Sequence, residues 1–241
     1  MKWVIVTGDS RGLGNEIVKQ LLSETEYGVI GISRAADDRF ADIQETYPAR
    51  FRHFTYDLAD VAGIKALFLG QFQRLGPIYG LVNNSAMAYD DIVSNLDMER
   101  LQRMYQVNVF AAMQLTKYAI RDMLLNKIQG SIVHVSSVSA HTGYKGLSMY
   151  ASTKGAMEAF SKNVAREWGA RGIRSNCVVP GFMETDMSAA LSEEQKERIY
   201  KRTSLRKETN PRSVASSVLY LLSEKASSIT GTVIHVDSGT I

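Results

Sequence analysis

Cysteine is almost missing from this chain. The single one, Cys177, excludes an internal disulfide, and its place in the apolar run "CVVP" suits a small buried hydrophobe. Long apolar runs are missing too. None approaches the ~20 residues of a membrane span. An excess of one charge is also absent: 28 Lys and Arg face 25 Asp and Glu, a net +3. Nothing therefore demands a nucleic-acid or membrane partner. The four histidines, His53, His134, His141 and His235, show no metal-ligand spacing and no carboxylate partner, so no metal site is expected. His134 and His235 alternate within strand-like runs and are expected only to pack. The first apolar run starts at Trp3, which leaves no room for a charged region and the ~7–15 apolar residues of a signal peptide. A cytoplasmic, reducing setting is expected.

What is present is an alternation. Short Val- and Ile-rich runs, "WVIV", "GVIGI", "IYGLV", "SIVHV" and "SNCVV", read as buried strands, and "TVIHVDSG" as a last one. Between them, helical spacing covers residues 14–22, 61–75 with Asp60 as N-cap, 97–125, 150–169, and 211–222 opening on a proline. The pattern predicts one α/β domain over residues 1–241. It would be a Rossmann-like, doubly wound parallel sheet of about seven strands with helices on both faces.

Two local patterns carry chemistry. "TGDSRGLG" places Gly8, Gly12 and Gly14 between the first strand and helix, where a dinucleotide fold turns tightly and lets pyrophosphate approach the backbone. "MYASTK" sets Tyr150 and Lys154 one helical turn apart, on one face, with only small residues between. Each has a plainer reading. Glycines make turns, and a Tyr/Lys pair at this spacing is usually solvated.

Together these motifs resemble the short-chain dehydrogenase/reductase family in its compact form, and the resemblance covers essentially the whole chain. Ser137 lies 13 residues before Tyr150, at the family's spacing for its catalytic serine; Ser136 and Ser139 are rivals that only spacing rejects. Asn108 matches the asparagine of the long central helix. "NNSA" stands where the family has N-N-A-G, putting Ala86 in place of a glycine, and "PGFMETDM" matches P-G-x-x-x-T. The resemblance implies hydride transfer between a nicotinamide and a carbonyl or alcohol. Tyr150 would donate the proton, its pKa lowered from ~10 by the Lys154 ammonium. Lys154 would also hold the nicotinamide ribose, Ser137 would bond the substrate oxygen, and Asn108 would hold a water leading from Lys154 to solvent. The small residues 151–153 would let the helix approach the cofactor.

The resemblance also implies a cofactor path along Gly8, Ser10, Arg11, Gly12, Leu13 and Gly14, then Ser33 and Arg34, Asp57 and Leu58, Asn84 and Ser85, and Pro180, Gly181 and Thr185. Arg34, about 20 residues beyond the glycine loop, and Arg11 within it favour the 2′-phosphate of NADP(H). Asp37 and Asp38 are expected to lie past the ribose, with Asp57 at the adenine. The charged stretch 192–212 would be a lid hinged at 182–187.

In texture the chain is nearest the 3-oxoacyl-(acyl-carrier-protein) reductases. It is expected to be an NADPH-dependent reductase of a 3-oxoacyl or related carbonyl, small or thioester-bound, and a homotetramer. Acyl carrier protein is a possible partner through Arg171, with Arg174 nearby, although Ile128 stands where a second docking arginine would fall. The alternatives are a reductase of an unrelated small ketone, sugar or alcohol, and a non-catalytic NADP-binding regulator. An epimerase of the extended branch would need a longer chain.

Overall fold

The computed structural model describes residues 1–34, 39–184 and 192–240. Seven parallel strands form one sheet in the order β3-β2-β1-β4-β5-β6-β7. They are β1 (Trp3–Thr7), β2 (Gly28–Ser33), β3 (Phe51–Thr55), β4 (Ile78–Asn83), β5 (Ser131–Val135), β6 (Arg174–Pro180) and β7 (Val233–Val236). The inner strands are apolar in succession because helices cover both faces. All five residues of β1 are buried, and each Val or Ile removed from water contributes about 1.5–3 kcal/mol. β3, "FRHFT", escapes the periodicity reading because it is an edge strand with only one fully buried residue.

On one face lie α1 (Gly12–Glu24), α2 (Arg39–Thr46) and α9 (Pro211–Leu222), through Ile17, Leu21, Phe40, Val214 and Val218. On the other lie α3 (Ile64–Leu67), α6 (Ala111–Leu125) and α7 (Ser148–Trp168), through Ile64, Leu115, Ala119 and Val164. Helical spacing over 61–75 resolves into α3, a π turn at Phe68–Phe72 and α4 (Gln73–Leu75). Asp60 caps the preceding turn by accepting from Gly63 N at 3.0 Å, and Gly63 is the helix N-cap. The stretch 97–125 is α5 (Met98–Tyr105), a π turn at Gln106–Phe110, and α6, with Asp97 capping it through the N–H groups of Glu99 and Arg100. Within the charged stretch 192–212, only α8 (Glu193–Tyr200), opened by a Ser192–Gln195 capping box, and the start of α9 are helical.

The strand order reverses between β1 and β4. In such sheets the crevice at that switch point, beyond the carboxyl ends of the strands, is where ligands bind.

Candidate active site

The glycine loop leaves β1 at this switch point. Gly8 has φ +73°, a left-handed backbone closed to most side chains. A Cβ on Gly14 would stand 2.0 Å from the Gly8 carbonyl oxygen, so only glycine lets α1 sit this close to the loop. Arg11 is the extended N-cap of α1 and makes no side-chain cap, so the first-turn N–H groups point toward the loop. The loop is braced from β4. Thr7 Oγ1 accepts from the N–H groups of Asn84 at 3.0 Å and Ser85 at 2.9 Å, and Asn84 Nδ2 donates to Thr7 O at 2.9 Å. Thr7 ends an otherwise apolar run, the one sequence sign of this role. Ala86 does not have positive φ, so its methyl replaces glycine without backbone strain.

Along β2 and β3 the expected cofactor residues converge. Ser33 is half-buried and Arg34 exposed. Asp57 Oδ1 accepts from Ala59 N and its Oδ2 from Arg103 Nη2, both at 2.9 Å. That N–H above all, with Arg103 and Arg34 adding positive charge, holds the Asp57 carboxyl below the usual carboxylate range. Each oxygen keeps a second lone pair that can accept a further hydrogen bond. Leu58 is buried beside it, and Pro180 and Gly181 are buried at the end of β6. Thr185, with Asp37, Asp38 and residues 185–187 of the expected hinge, lies outside the described residues.

On α7, Tyr150 is half-buried and Lys154 is 3 % exposed. Lys154 Nζ stands 5.5 Å from the Tyr150 ring centre and donates to Val135 O at 2.8 Å. The expectation that Lys154 lowers the tyrosine pKa is not met. Burial pushes Tyr150 up to about 12, against the Ser137 hydroxyl, which lowers it, and with Asp90, which raises it. The same burial brings Lys154 down to about 8. Desolvation outweighs the pairing because the ammonium faces a backbone carbonyl rather than the phenol oxygen.

Ser137 faces Tyr150; its Oγ also accepts from Ser139 N at 3.2 Å and Ser139 Oγ at 3.0 Å. Ser136 points elsewhere, to the Glu158 carboxylate. Geometry therefore selects the same serine as spacing does. Asn108 sits in the π turn, the kind of irregularity that gathers at functional sites. Its Oδ1 accepts from Met87 N at 2.8 Å and its Nδ2 donates to Met87 O at 2.9 Å and Thr153 Oγ1 at 3.1 Å. Asn108 and Lys154 line one pocket with Thr7, Asn83, Ser85 and His134. Its space for the centre of a water molecule is about 10 Å³, the room one water needs. The small residues between Tyr150 and Lys154 have further work: Thr153 Oγ1 bonds Asn108 and Tyr150 O, and Ser152 Oγ bonds Tyr105 Oη at 3.0 Å.

The histidines differ from expectation in one respect. His134 is buried and neutral, its pKa brought down to about 3 by burial and by Lys154. The other three do have carboxylate partners, two of them supplied by distant segments and the third, for His235, two residues along the chain. His53 Nδ1 pairs with the fully buried Asp9 at 2.8 Å, where Gly31 makes room: a Cβ there would meet Asp9 Oδ2 at 1.9 Å. His141 Nε2 pairs with Glu158 at 2.9 Å, and His235 lies 3.9 Å from Asp237. Among the described residues no group of three or more His, Cys, Asp or Glu could hold a metal. No helix of the described residues is long and apolar enough to cross a membrane. Arg174 is not at a docking rim; it is 9 % exposed and donates to Leu221 O at 2.6 Å and Ser223 O at 3.1 Å.

Residues 8–240 match the protein family described as enoyl-(acyl carrier protein) reductase. The chain is 34 % identical to the 3-oxoacyl-(acyl-carrier-protein) reductase of Aquifex aeolicus, over 98 % of this chain and 95 % of that one. It is 33 % identical to the enzyme of that name from Vibrio cholerae, over 99 % and 96 %. Among solved structures it is similar to a short chain dehydrogenase/reductase family protein at 28 % identity and TM-score 0.88, covering 99 % of this chain and 96 % of that one. A blue fluorescent protein from a metagenomic library, in complex with NADPH, shares 29 % identity and TM-score 0.88 over 99 % and 97 %.

Proposed function

The chain belongs to the short-chain dehydrogenase/reductase family, and on that premise we propose that it is an NADPH-dependent reductase of 3-oxoacyl or related ketones. The observation that supports this reading is that Tyr150 meets both Ser137 and Lys154, and that Lys154 in turn lines the pocket at the switch point. The residues present fit the cofactor: a left-handed Gly8, a Gly14 that admits no Cβ, and uncapped N–H groups opening α1. Gly8, Ser10, Gly12, Leu13 and Gly14 would hold the pyrophosphate, with Asn84 and Ser85 beside the ribose and Lys154 on the nicotinamide ribose hydroxyls. Arg11 and Arg34 would clamp the 2′-phosphate through charge-assisted bonds worth roughly 1.5–3 kcal/mol each. When bound, NADPH supplies the hydride.

The protein supplies the proton. With its pKa near 12, Tyr150 is fully protonated at neutral pH and ready as the acid of a reduction. Ser137 would share the carbonyl oxygen with Tyr150, aiming that proton and stabilising charge as it grows. Lys154, cationic below its pKa of about 8, would be the source from which the phenolate left behind regains a proton. Asn108, across the shared pocket, would hold the water that returns a proton.

A homotetramer is part of the same proposal. Phe110 is 49 % exposed on the central helix, and β7 is the last strand of the sheet, with Val233, Ile234 and Val236 only half-buried. A non-catalytic regulator is disfavoured because all four catalytic positions are occupied and converge. The test is NADPH oxidation by the pure protein across a ketone panel that includes an acetoacetyl thioester. Turnover of the thioester or a related β-keto compound is expected. Oxidation with none of the panel overturns the reading.

A further inference from the structure

Glu158 lies on α7 one turn beyond Lys154 and two beyond Tyr150, so the three share one stripe of the helix. It is 8 % exposed, and one oxygen takes two donors. Ser136 Oγ donates to Oε1, and His141 Nε2 lies 2.9 Å from the same atom. A carboxylate only accepts, so His141 must carry its proton on Nε2. Neither contact belongs to the proton transfer itself, yet both bear on where it happens. Ser136 immediately precedes Ser137, and Ser137 is extended, with φ −163° and ψ 148°. Successive side chains of an extended segment point to opposite sides. Pinning Ser136 to α7 therefore turns Ser137 the other way, toward Tyr150. His141 lies at the far end of the short helical turn Val138–Ala140, so its bond ties that end of the loop to α7 as well. The His141 ring in turn meets His235 of β7 edge-on, with centroids 4.7 Å apart.

We propose that Glu158 is a positioning residue of the active site. Through Ser136 and His141 it clamps the segment after β5 to the catalytic helix and sets the direction of the Ser137 hydroxyl. This rests on the reading of Ser137 given above, and the test separates the two. Steady-state kinetics with NADPH and an acetoacetyl thioester are compared for wild type, Glu158→Ala, Glu158→Gln and Ser137→Ala, with NADPH binding followed by fluorescence. A small misplacement of a reacting group can cost up to 10²-fold, so Glu158→Ala is expected to lower kcat by about tenfold or more. NADPH affinity should stay within about twofold. Glu158→Gln, whose carbonyl oxygen still accepts from both donors, should recover most of the rate. A merely structural residue would lower thermal stability without that split or that rescue. If Ser137→Ala is inactive while Glu158→Ala turns over within about twofold of wild type, the clamp is wrong and the active-site reading stands. If Ser137→Ala is fully active, both fall. Should Glu158→Ala not fold, Ser136→Ala and His141→Leu each remove one arm. Both are expected to lower kcat, and wild-type kcat in both overturns the proposal.

Discussion

At the scale of single residues, the burial that shapes the site also strains it. Lys154 is held with a pKa near 8, so between about 8 and 10.5 the folded chain binds fewer protons than the unfolded one. Stability contributed by this group must then rise with pH across that window, and below 8 its full penalty is present. Lys154→Met is accordingly expected to raise Tm at pH 7 in calorimetry, with the gain shrinking as pH approaches 10.5, while abolishing turnover. A Tm gain independent of pH would refute the burial account. Tyr150→Phe keeps the ring and removes the acid. Turnover should collapse by on the order of 10²-fold or more, with NADPH binding retained, and near-normal turnover would sink the assignment. Arg34 tests the cofactor. Arg34→Asp exchanges a phosphate clamp for a ribose acceptor and should weaken NADPH while improving use of NADH. A wild-type preference for NADH in steady-state assays would show that the two arginines mislead.

At the scale of elements, the joint between β1 and β4 carries the site. Thr7 Oγ1 is the acceptor for two N–H groups of the segment leaving β4, and Thr7 is 2 % exposed. Thr7→Val keeps the shape and leaves both donors without that partner. At about 1–3 kcal/mol for each of the two donors left unpaired, the loss should be about 2–6 kcal/mol, toward the low end because Asn84 and Ser85 are half-buried, read from urea unfolding. NADPH affinity should fall with it, because Asn84 and Ser85 sit against Gly8, as the 2.9 and 3.0 Å contacts of a Cβ placed there show. The two π turns have a similar logic. Each adds a residue to a helical turn, and the one at Gln106–Phe110 turns Asn108 inward to Met87 and Thr153.

At the scale of the whole molecule, the open matter is which substrate reaches the site. Arg171 is exposed, but Arg174 is spent on the carbonyl end of α9, and Ile128 packs into the core. The face that would meet an acidic carrier protein is thus thinner in positive charge than the sequence suggests. A missing rim charge costs about 1 kcal/mol or less in affinity and slows steered encounter. Small, freely diffusing β-keto compounds should therefore be reduced at least as well as carrier-bound ones. The measurement is kcat/KM for an acetoacetyl group on carrier protein and on a small thioester, at low and moderate salt. A carrier preference above about 100-fold that weakens with salt and vanishes in Arg171→Glu would establish carrier-bound acyl groups as the substrate.

What the sequence determined by itself is whatever is written in local spacing. Apolar runs of four to six residues alternating with helical segments specify a covered parallel sheet. Three glycines after a strand specify the loop, and the family resemblance singles out positions 137, 150 and 154 as the residues proposed to be catalytic. β3 and α2 were legible only poorly, because an edge strand and a short exposed helix bury too little to leave a period. The tertiary structure decided everything that depends on which distant segments meet. His53 and Asp9 are 44 residues apart and His141 and Glu158 are 17 apart, and no spacing rule pairs them. The protonation of Tyr150 and Lys154 follows from the same cause. A pKa responds to the dielectric and the partners around a group, and those are assembled by the fold rather than by neighbours in the chain.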